Sequence, residues 1–471
     1  MFRLDNSYLT LPDKFYSKET PEYAPIVRPV LWNLDFFNEL NIHVDDKEEL
    51  QKILVGNQTH IGSTPFSQAY AGHQFGHFTM LGDGRAIHIG EHLTKDNKRF
   101  DIQLKGAGPT TYSRSGDGRA TLKSMLREYL ISEAMHCLGI PSSRSLAVIK
   151  TGNDVQRETF HDGAVLTRVM KSHIRVGTFE YISHFGSLDE LKKITDYTID
   201  RLYPSAKSAT NPIESFFLQF AEQQINLVCN WMRVGFIHGV MNTDNTSISA
   251  ETFDYGPCAF MNNYHPATVF SSIDSNSRYA FGSQPTILKW NITRFLETLL
   301  PLIDPNKDKA VERAKYLLEI IDSSWREVLA LNMLNKLGFQ ERSKVNLKIV
   351  DELFRLMLKH KLDYTNTFVN LSHNIELSGA SLNHPELKLW FEKWDQLVPN
   401  KELMQQKNPV FIPRNHLVEG ALNDAVNGNF QSLFKLLEVL KKPYKYLDEF
   451  AAYTIPPETH FEQNYQTYCG T

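Results

Sequence analysis

The chain lacks a strong charge of either sign: 50 Lys and Arg stand against 54 Asp and Glu, a net charge of −4 over 471 residues. A protein-wide attraction to nucleic acid or to an anionic membrane is therefore not expected, which leaves room only for a local basic site. Long apolar runs are missing too. No stretch approaches the ~18 to 20 residues that span a bilayer. Met1 to Pro12 has neither the apolar centre of a signal peptide nor the Arg-rich, acid-poor character of a transit peptide. Cysteine is scarce, and Cys137, Cys229, Cys258 and Cys469 are widely scattered with no C-x-x-C pair. That argues against a disulfide scaffold or a cysteine zinc site and fits a reducing compartment. Internal repeats and low-complexity linkers are absent as well. What remains, 42% hydrophobic and 22% charged residues, is the composition of a soluble globular protein, expected in the cytoplasm with no nucleic-acid or membrane partner. Its length allows a large core and more than one module.

Residues 1–60 read as a polar, proline-interrupted extension with one helix at Lys47–Val55, where Asp45, Asp46, Glu48 and Glu49 suit the positive end of the dipole. Residues 61–165 carry strand signals at Arg85–Ile89, Arg99–Leu104, Ser145–Lys150 and Ala164–Val169. Between them lie a Gly/Ser/Thr/Arg-rich loop, Gly106 to Arg119, and a strong helix. There Leu122, Met125, Leu126, Tyr129, Leu130, Ala134 and Cys137 recur at helical spacing until Gly139-Ile-Pro141 stops the pattern. In residues 166–300 a second apolar-periodic helix, Ser215 to Val234, leads into a loop at His238. Beyond about residue 290 the chain is helix-rich, with helices predicted at Ile292–Leu302, Lys309–Asp322, Ser324–Leu337, Asn346–His360 and Pro385–Leu397. In the last region, residues 301–471, an extended segment bounded by prolines, Asn408 to His416, precedes two more helices.

The most telling absence is one side chain. His238-Gly-Val-Met-Asn-Thr-Asp-Asn245, followed by Asp254-Tyr-Gly256, matches the catalytic loop and metal-binding Asp-x-Gly of protein kinases. Where those keep a catalytic aspartate this chain has Val240, which cannot accept a proton. Asn245 and Asp254 are in place, and both are hard oxygen ligands suited to Mg²⁺ or Mn²⁺ on phosphate. Asn and Asp in loops are usually turn formers. Two in kinase register, one of them inside Asp-Tyr-Gly, are a far more specific signal. A site that keeps its metal ligands but loses its hydroxyl base is either inert or does other chemistry, and the extra carboxylate of Asp244 favours the second.

Phosphate transfer also needs cations on the phosphates and a way to hold them. Lys105 closes the alternating strand Phe100-Asp-Ile-Gln-Leu-Lys105 just before Gly106-Ala-Gly108; it is either an ordinary strand-end lysine or a phosphate-reaching one. The helix after it offers Glu128 and Glu133 as partners. Helical periodicity slightly favours Glu133, which falls within the apolar stripe, while Glu128 falls off its edge. The glycines of the Gly106–Arg119 loop permit close backbone approach, and its position before a helix start suits an anion. Arg168 and Arg175 add cations, although surface arginines are the ordinary reading of such residues. Gly82-Asp-Gly-Arg85 is either a hairpin turn or part of a phosphate loop. His73 and His77 have the spacing of helix metal ligands, but their intervening glycines and the lack of a third ligand make them core or turn histidines.

Taken together, these residues resemble selenoprotein O, the SelO/YdiU family of kinase-fold protein adenylyltransferases. The resemblance is carried by Pro65–Gly76, Leu81–Ala86, Gln103–Gly108, Ser113–Ala120, Leu126–Tyr129, His238–Asn245, Asp254–Pro257 and Asn408–His416, so it spans nearly the whole chain. It implies an α+β, protein-kinase-like two-lobed fold with an additional C-terminal helical region. The lobes would be residues 61–165 and 166–300. It further implies transfer of AMP from ATP, or UMP from UTP with Mn²⁺, to hydroxyl side chains of protein substrates, with pyrophosphate leaving. The nucleotide would lie reversed relative to kinases, which would rationalise Val240. Under this resemblance Lys105, Arg168 and Arg175 hold phosphates and Glu128 pairs with Lys105. Gly82, Gly84, Arg85, Asp117 and Gly118 line the nucleotide, Asn245 and Asp254 bind Mg²⁺ or Mn²⁺, and Asp244 is the proton acceptor.

The family often pairs a selenocysteine or cysteine near the C-terminus with a cysteine downstream of Asp-Tyr-Gly-Pro. Cys469 fits the first position, but the partner region reads Val269-Phe-Ser-Ser-Ile-Asp274, and Cys258 is displaced from it, so redox control by such a disulfide is not expected. Two rival readings stand beside this one. A phosphotransferase also opens its loop with His-Gly, yet keeps the aspartate that is Val240 here. A non-catalytic nucleotide-binding scaffold would have no need of the complete set Lys105, Asn245 and Asp254.

Overall fold

The structure, a computed structural model, describes residues 1–468. Three short strands come first, β1 (Leu4–Asp5), β2 (Tyr16–Lys18) and β3 (Arg28–Trp32), followed by helices α1 (Leu34–Glu39) and α2 (Lys47–Val55). Strand β4 (Phe66–Gln68) precedes a separate hairpin of β5 (Ala71–Gln74) and β6 (His77–Met80). Then come β7 (Ala86–Leu93), β8 (Arg99–Lys105), helix α3 (Leu122–Cys137), β9 (Arg144–Gln156) and β10 (Phe160–Met170). The main sheet has eight strands in the order β2-β4-β7-β8-β10-β9-β3, with β1 beside β7 and every pairing antiparallel. The segment expected as an extension thus supplies three of its strands.

That segment also covers one sheet face. Asp46 caps α2 by accepting the Glu48 and Glu49 N–H groups, and Gly56 ends it at φ 93°. Between the caps Leu50, Ile53, Leu54 and Val55 bury against Ile102, Leu104, Ile149 and Val165. The opposite face meets α3, whose Leu122, Met125, Leu126 and Leu130 join Val148 and Leu166 in the main core. The same core takes in helices α4 (Val176–Phe185), α5 (Leu188–Leu202) and α6 (Pro212–Val234).

Helix α6 fixes where the His238 loop begins. Asn211 caps its start and Gly235 ends it at φ 76°, a left-handed turn that glycine takes at little cost. The chain enters β11 (Phe236–Ile237), which pairs with β12 (Ala259–Phe260), so that the loop between them is held at both ends. An antiparallel sheet with α3 against it, joined to a helix-rich part that carries this loop, is a two-lobed, kinase-like α+β fold.

Helix α7 (Gln284–Ile303) packs beside α4 and α6 in the main core, and beyond it the C-terminal region comprises α8 (Lys307–Lys336), α9 (Lys344–His360), α10 (Tyr364–His373), α11 (Pro385–Asp395), α12 (Lys401–Lys407), α13 (Asn415–Val426), α14 (Gln431–Leu440) and α15 (Thr459–Asn464). The two helices expected at 309–322 and 324–337 are one. Neither Gly nor Pro interrupts α8, and the Ser323 hydroxyl donates to the Ile320 carbonyl (2.8 Å) instead of diverting the backbone. No helix among the described residues is long and apolar enough to cross a membrane.

The extended segment at Asn408 is tied down by Arg414, which is 1% exposed and pairs with the fully buried Asp363 at 2.8 Å, with Asn262 and Asn366 taking further N–H groups. Removing one partner strands a buried charge, so Arg414→Ala is expected to destabilise the fold by about 3–5 kcal/mol in chemical denaturation. Glu251 makes stability depend on pH. Burial pushes its carboxyl up to about 7, despite hydrogen bonds from the Lys171 N–H and the Ser249 hydroxyl. The folded state therefore binds this proton more tightly than the unfolded chain, whose carboxyl titrates near 4.5. The stability it confers is complete below pH 4.5 and is lost as pH rises to 7, by roughly 3 kcal/mol. Glu251→Gln should flatten that fall and melt higher than wild type at pH 8.

Candidate active site

A cleft of about 1030 Å³ brings together every residue expected at the nucleotide, the metal or the proton: Gly82, Gly84, Arg85, Lys105, Asp117, Gly118, Glu128, Arg168, Arg175, Asp244, Asn245 and Asp254. Lys105 ends β8 and Glu128 lies on α3, and their side chains, each 5% exposed, meet at 2.6 Å. Lys105 also contacts Asp254. Arg168 on β10 donates to Glu128 (3.1 Å) and to Asp254 (2.9 Å). Glu133, which periodicity preferred, instead binds Arg144 (2.8 Å) and Asn33 (2.8 Å). Helix α3 is buried well beyond its apolar stripe, so Glu128 at the stripe's edge is buried opposite Lys105, while Glu133 lies further along α3, beside the start of β9.

Asp254 is held in this cluster by its backbone as well as by charge. Its φ is 61°, in the left-handed region that non-glycine residues seldom occupy. Burial alone would raise its pKa, but Lys105 and Arg168 outweigh that and hold the carboxyl well below the usual range.

The loop that carries Asp244 is braced from two sides. From within, the His238 ring lies 3.1 Å from the Phe253 carbonyl, and the Asn245 amide donates to the Val240 carbonyl (3.0 Å). From outside, the β5–β6 hairpin donates its His73 N–H to the Thr243 hydroxyl (2.7 Å) and its Phe75 N–H to the Asn242 side chain (3.1 Å). Gly72 is needed at that contact, because a Cβ there would lie 2.9 Å from Asp244 Oδ1. His73 therefore braces the loop and pairs with Glu180, whereas His77 is exposed. Neither belongs to a metal-competent cluster among the described residues.

Asp244 is 7% exposed. Its Oδ2 accepts the Gln74 amide (3.4 Å), its backbone carbonyl accepts Arg175 (3.1 Å), and its buried Oδ1 has no hydrogen-bond partner among the described residues. Burial lifts its pKa to about 6, with the Arg175 charge opposing that rise. Such a group is ionised at neutral pH and basic enough to take a proton.

Glycines shape the phosphate side. A Cβ on Gly82 would fall 2.3 Å from the Tyr112 ring, and one on Gly118 2.1 Å from the Gly108 carbonyl, so the Gly106–Arg119 loop folds back on itself only with glycine there. Asp117, beside the Gly108–Gly118 pair that closes this loop, is gripped by Arg157 (2.8 Å), and Arg175 lies between the rings of Tyr70 and Phe253, at 4.0 and 5.0 Å. Tyr70 and Gln74 lie within the Pro65–Gly76 motif without an assigned role, and Arg157 lies outside every motif, since each is defined only by what the fold brings near it.

Residues of α15 and the chain after it form the outer wall of the cleft. Tyr465 contacts Arg127 and Glu419, the Thr467 hydroxyl donates to the Pro257 carbonyl (2.7 Å), and Thr467 pairs with Ser271 in a parallel bridge. Cys469 lies outside the described residues. Cys258 is buried, donates to the Tyr255 carbonyl (3.3 Å), and has its thiol pushed up to about 11 by burial.

The family model described as "Protein adenylyltransferase SelO" matches residues 2–441. Proteins named "Protein nucleotidyltransferase YdiU" are similar throughout. The one from Clostridium perfringens (strain SM101 / Type A) is 48% identical over 480 residues, covering 100% of this chain and 98% of its own. That of Pelagibacter ubique (strain HTCC1062) is 48% identical over 482 residues (100% and 99%), and that of Bacillus cereus (strain AH820) 46% over 484 (100% and 98%). Among solved structures, ROP2 from Toxoplasma gondii, described as a virulence factor with a protein-kinase fold and no enzymatic activity, covers 77% of this chain and 96% of its own. Its 10% identity and TM-score of 0.24 add nothing to the argument. On the family match and these full-length identities, the chain belongs to the SelO family of protein adenylyltransferases.

Proposed function

We propose that this chain moves a nucleoside monophosphate, AMP from ATP or UMP from UTP, onto Ser, Thr or Tyr hydroxyls of protein substrates in the cytoplasm, releasing pyrophosphate. The observation that carries this reading is the pairing of a complete phosphate-binding cluster with a proton acceptor displaced from its kinase position to Asp244. Lys105, Arg168 and Arg175 hold the triphosphate, with Glu128 fixing Lys105. Gly82, Gly84, Arg85, Asp117 and Gly118 enclose the nucleotide. The incoming hydroxyl gives its proton to Asp244 Oδ1 while its oxygen bonds to the α-phosphorus. The bond from that phosphorus to the bridging oxygen breaks, and pyrophosphate departs with its charge held by the cationic side chains.

The residues present fit a divalent cation. Asp254 is a carboxylate kept ionised by its neighbours, and the Asn245 amide, with its N–H on Val240, leaves Oδ1 as a ligand atom. Mg²⁺ or Mn²⁺ held by Asn245 and Asp254 would neutralise charge on the phosphate oxygens. The test is label transfer from α-³²P- and γ-³²P-nucleotides, ATP and UTP, to proteins of a lysate with either metal. Label from the α position alone is the expected result. Label from the γ position would make the protein a kinase, and nucleotide binding without any label would make it a scaffold.

A further inference from the structure

Alternation along β8 places Asp101, Gln103 and Lys105 on one face and Ile102 and Leu104 on the other. The apolar pair packs into the core under α2, as a strand should. The polar three are also buried, at 3%, 0% and 4% exposure, which is costly unless each is fully bonded. Lys105 is satisfied by Glu128 and Asp254, and Asp101 by Arg201 and His173. Gln103 is different: it does not line the cleft, but its amide bonds Arg168 and Asp83, which do. Its Oε1 accepts two N–H groups of Arg168, from Nε (3.1 Å) and Nη2 (2.6 Å). That fixes the amide so that its Nε2 donates toward Asp83 Oδ2 (3.3 Å), 2.9 Å from the His88 ring nitrogen. Asp83, between Gly82 and Gly84, accepts the Gln68 N–H (3.1 Å) on the same oxygen and Arg175 (3.3 Å) on the other.

We propose that Gln103 and Asp83 are positioning residues that set the relative placement of the Arg168 and Arg175 guanidinium groups, so that the two clamp neighbouring phosphates of one triphosphate. The inference rests on reading the cleft as a nucleoside triphosphate site. Two guanidinium groups sharing a pocket repel and turn away unless each is held by hydrogen bonds of fixed direction. The choice of an amide at 103 has a reason in the charge balance. Lys105, Arg168 and Arg175 already face Glu128, Asp254 and Asp83. A fourth carboxylate would turn the pocket against an anion, whereas glutamine gives Arg168 direction and leaves its charge available.

Calorimetric titration of the full chain with inorganic tripolyphosphate and Mg²⁺ needs neither a nucleoside nor any transfer, so it separates this clamp from the transfer reading. The variants are Gln103→Glu, Gln103→Leu, Asp83→Asn, Arg175→Lys and the double variant Asp83→Asn/Arg175→Lys. Gln103→Glu keeps an acceptor for Arg168 but loses the amide donor to Asp83, setting a second carboxylate against it, and guards against simple unfolding of Gln103→Leu. The expected result is a Kd raised at least ~10-fold in each single variant at 83 or 103, with a matching rise in KM for ATP. The double variant should bind no more weakly than Arg175→Lys alone, because Asp83 acts through Arg175. A Kd within about twofold of wild type in folded Gln103→Glu and Asp83→Asn, or effects that simply multiply in the double variant, overturns the proposal. So does a wild type that binds no tripolyphosphate. A wild type that binds it but transfers no α-label leaves the clamp standing and removes the transfer reading.

Discussion

Asp254→Ala is expected to lower α-phosphate transfer at least ~10³-fold, close to background, while binding of metal-free ATP is kept or tightened. Both halves follow from the geometry. Asp254 is the carboxylate shared by Lys105 and Arg168, and it is one of the two groups proposed for the divalent cation. Without it the cation loses an anionic ligand. Lys105 and Arg168 lose a competitor for the phosphates and keep Glu128 as their carboxylate partner, with Gln103 still holding Arg168. A variant that loses turnover and nucleotide affinity together would point to a collapsed cleft instead. Transfer within tenfold of wild type would remove Asp254 from the chemistry. Labelled-nucleotide transfer and equilibrium binding, run with and without metal, distinguish these outcomes.

Asp244→Asn should lower kcat by ~10²–10⁴, the usual range for a lost general base, with the KM for nucleotide nearly unchanged. The substitution keeps the size of the side chain and the backbone carbonyl that Arg175 holds, so the arginine stays in place. It removes only the ability of Oδ1 to take a proton. Since Gly72 packs against that side chain and the β5–β6 hairpin braces the residues beside it, the loop has little freedom to recruit another base. Steady-state kinetics at saturating nucleotide will check this. A large rise in KM with kcat preserved would assign Asp244 to binding and leave the base unidentified.

The parts of the site legible in the sequence are those where spacing is dense. Asn245 and Asp254 sit a fixed distance from His238 within one loop, and Lys105 closes a strand whose alternation is plain. The α2, α3 and α6 helices were readable because each has an apolar stripe between recognisable stops. Strands β1 to β3 were not, because two to five residues paired to partners far along the chain leave no periodic trace. The periodic preference for Glu133 over Glu128 failed for a related reason. A stripe says that a side chain points inward, but not whether it meets Lys105 or Arg144. Asp83 and Gln103 lie in the Leu81–Ala86 and Gln103–Gly108 motifs with no role legible there, since their meaning lies in two arginines more than sixty residues away.

The wall that Tyr465 and Thr467 add to the cleft has a consequence for how the protein is made. Synthesis runs from the amino end, so the sheet, the clamp and the His238 loop all exist as chain before that wall does. While residues 460–468 are still inside the ribosomal tunnel, the nucleotide site has a missing side. A chain clipped before α15 would therefore keep the sheet and the His238 loop while one side of its cleft stayed open to water.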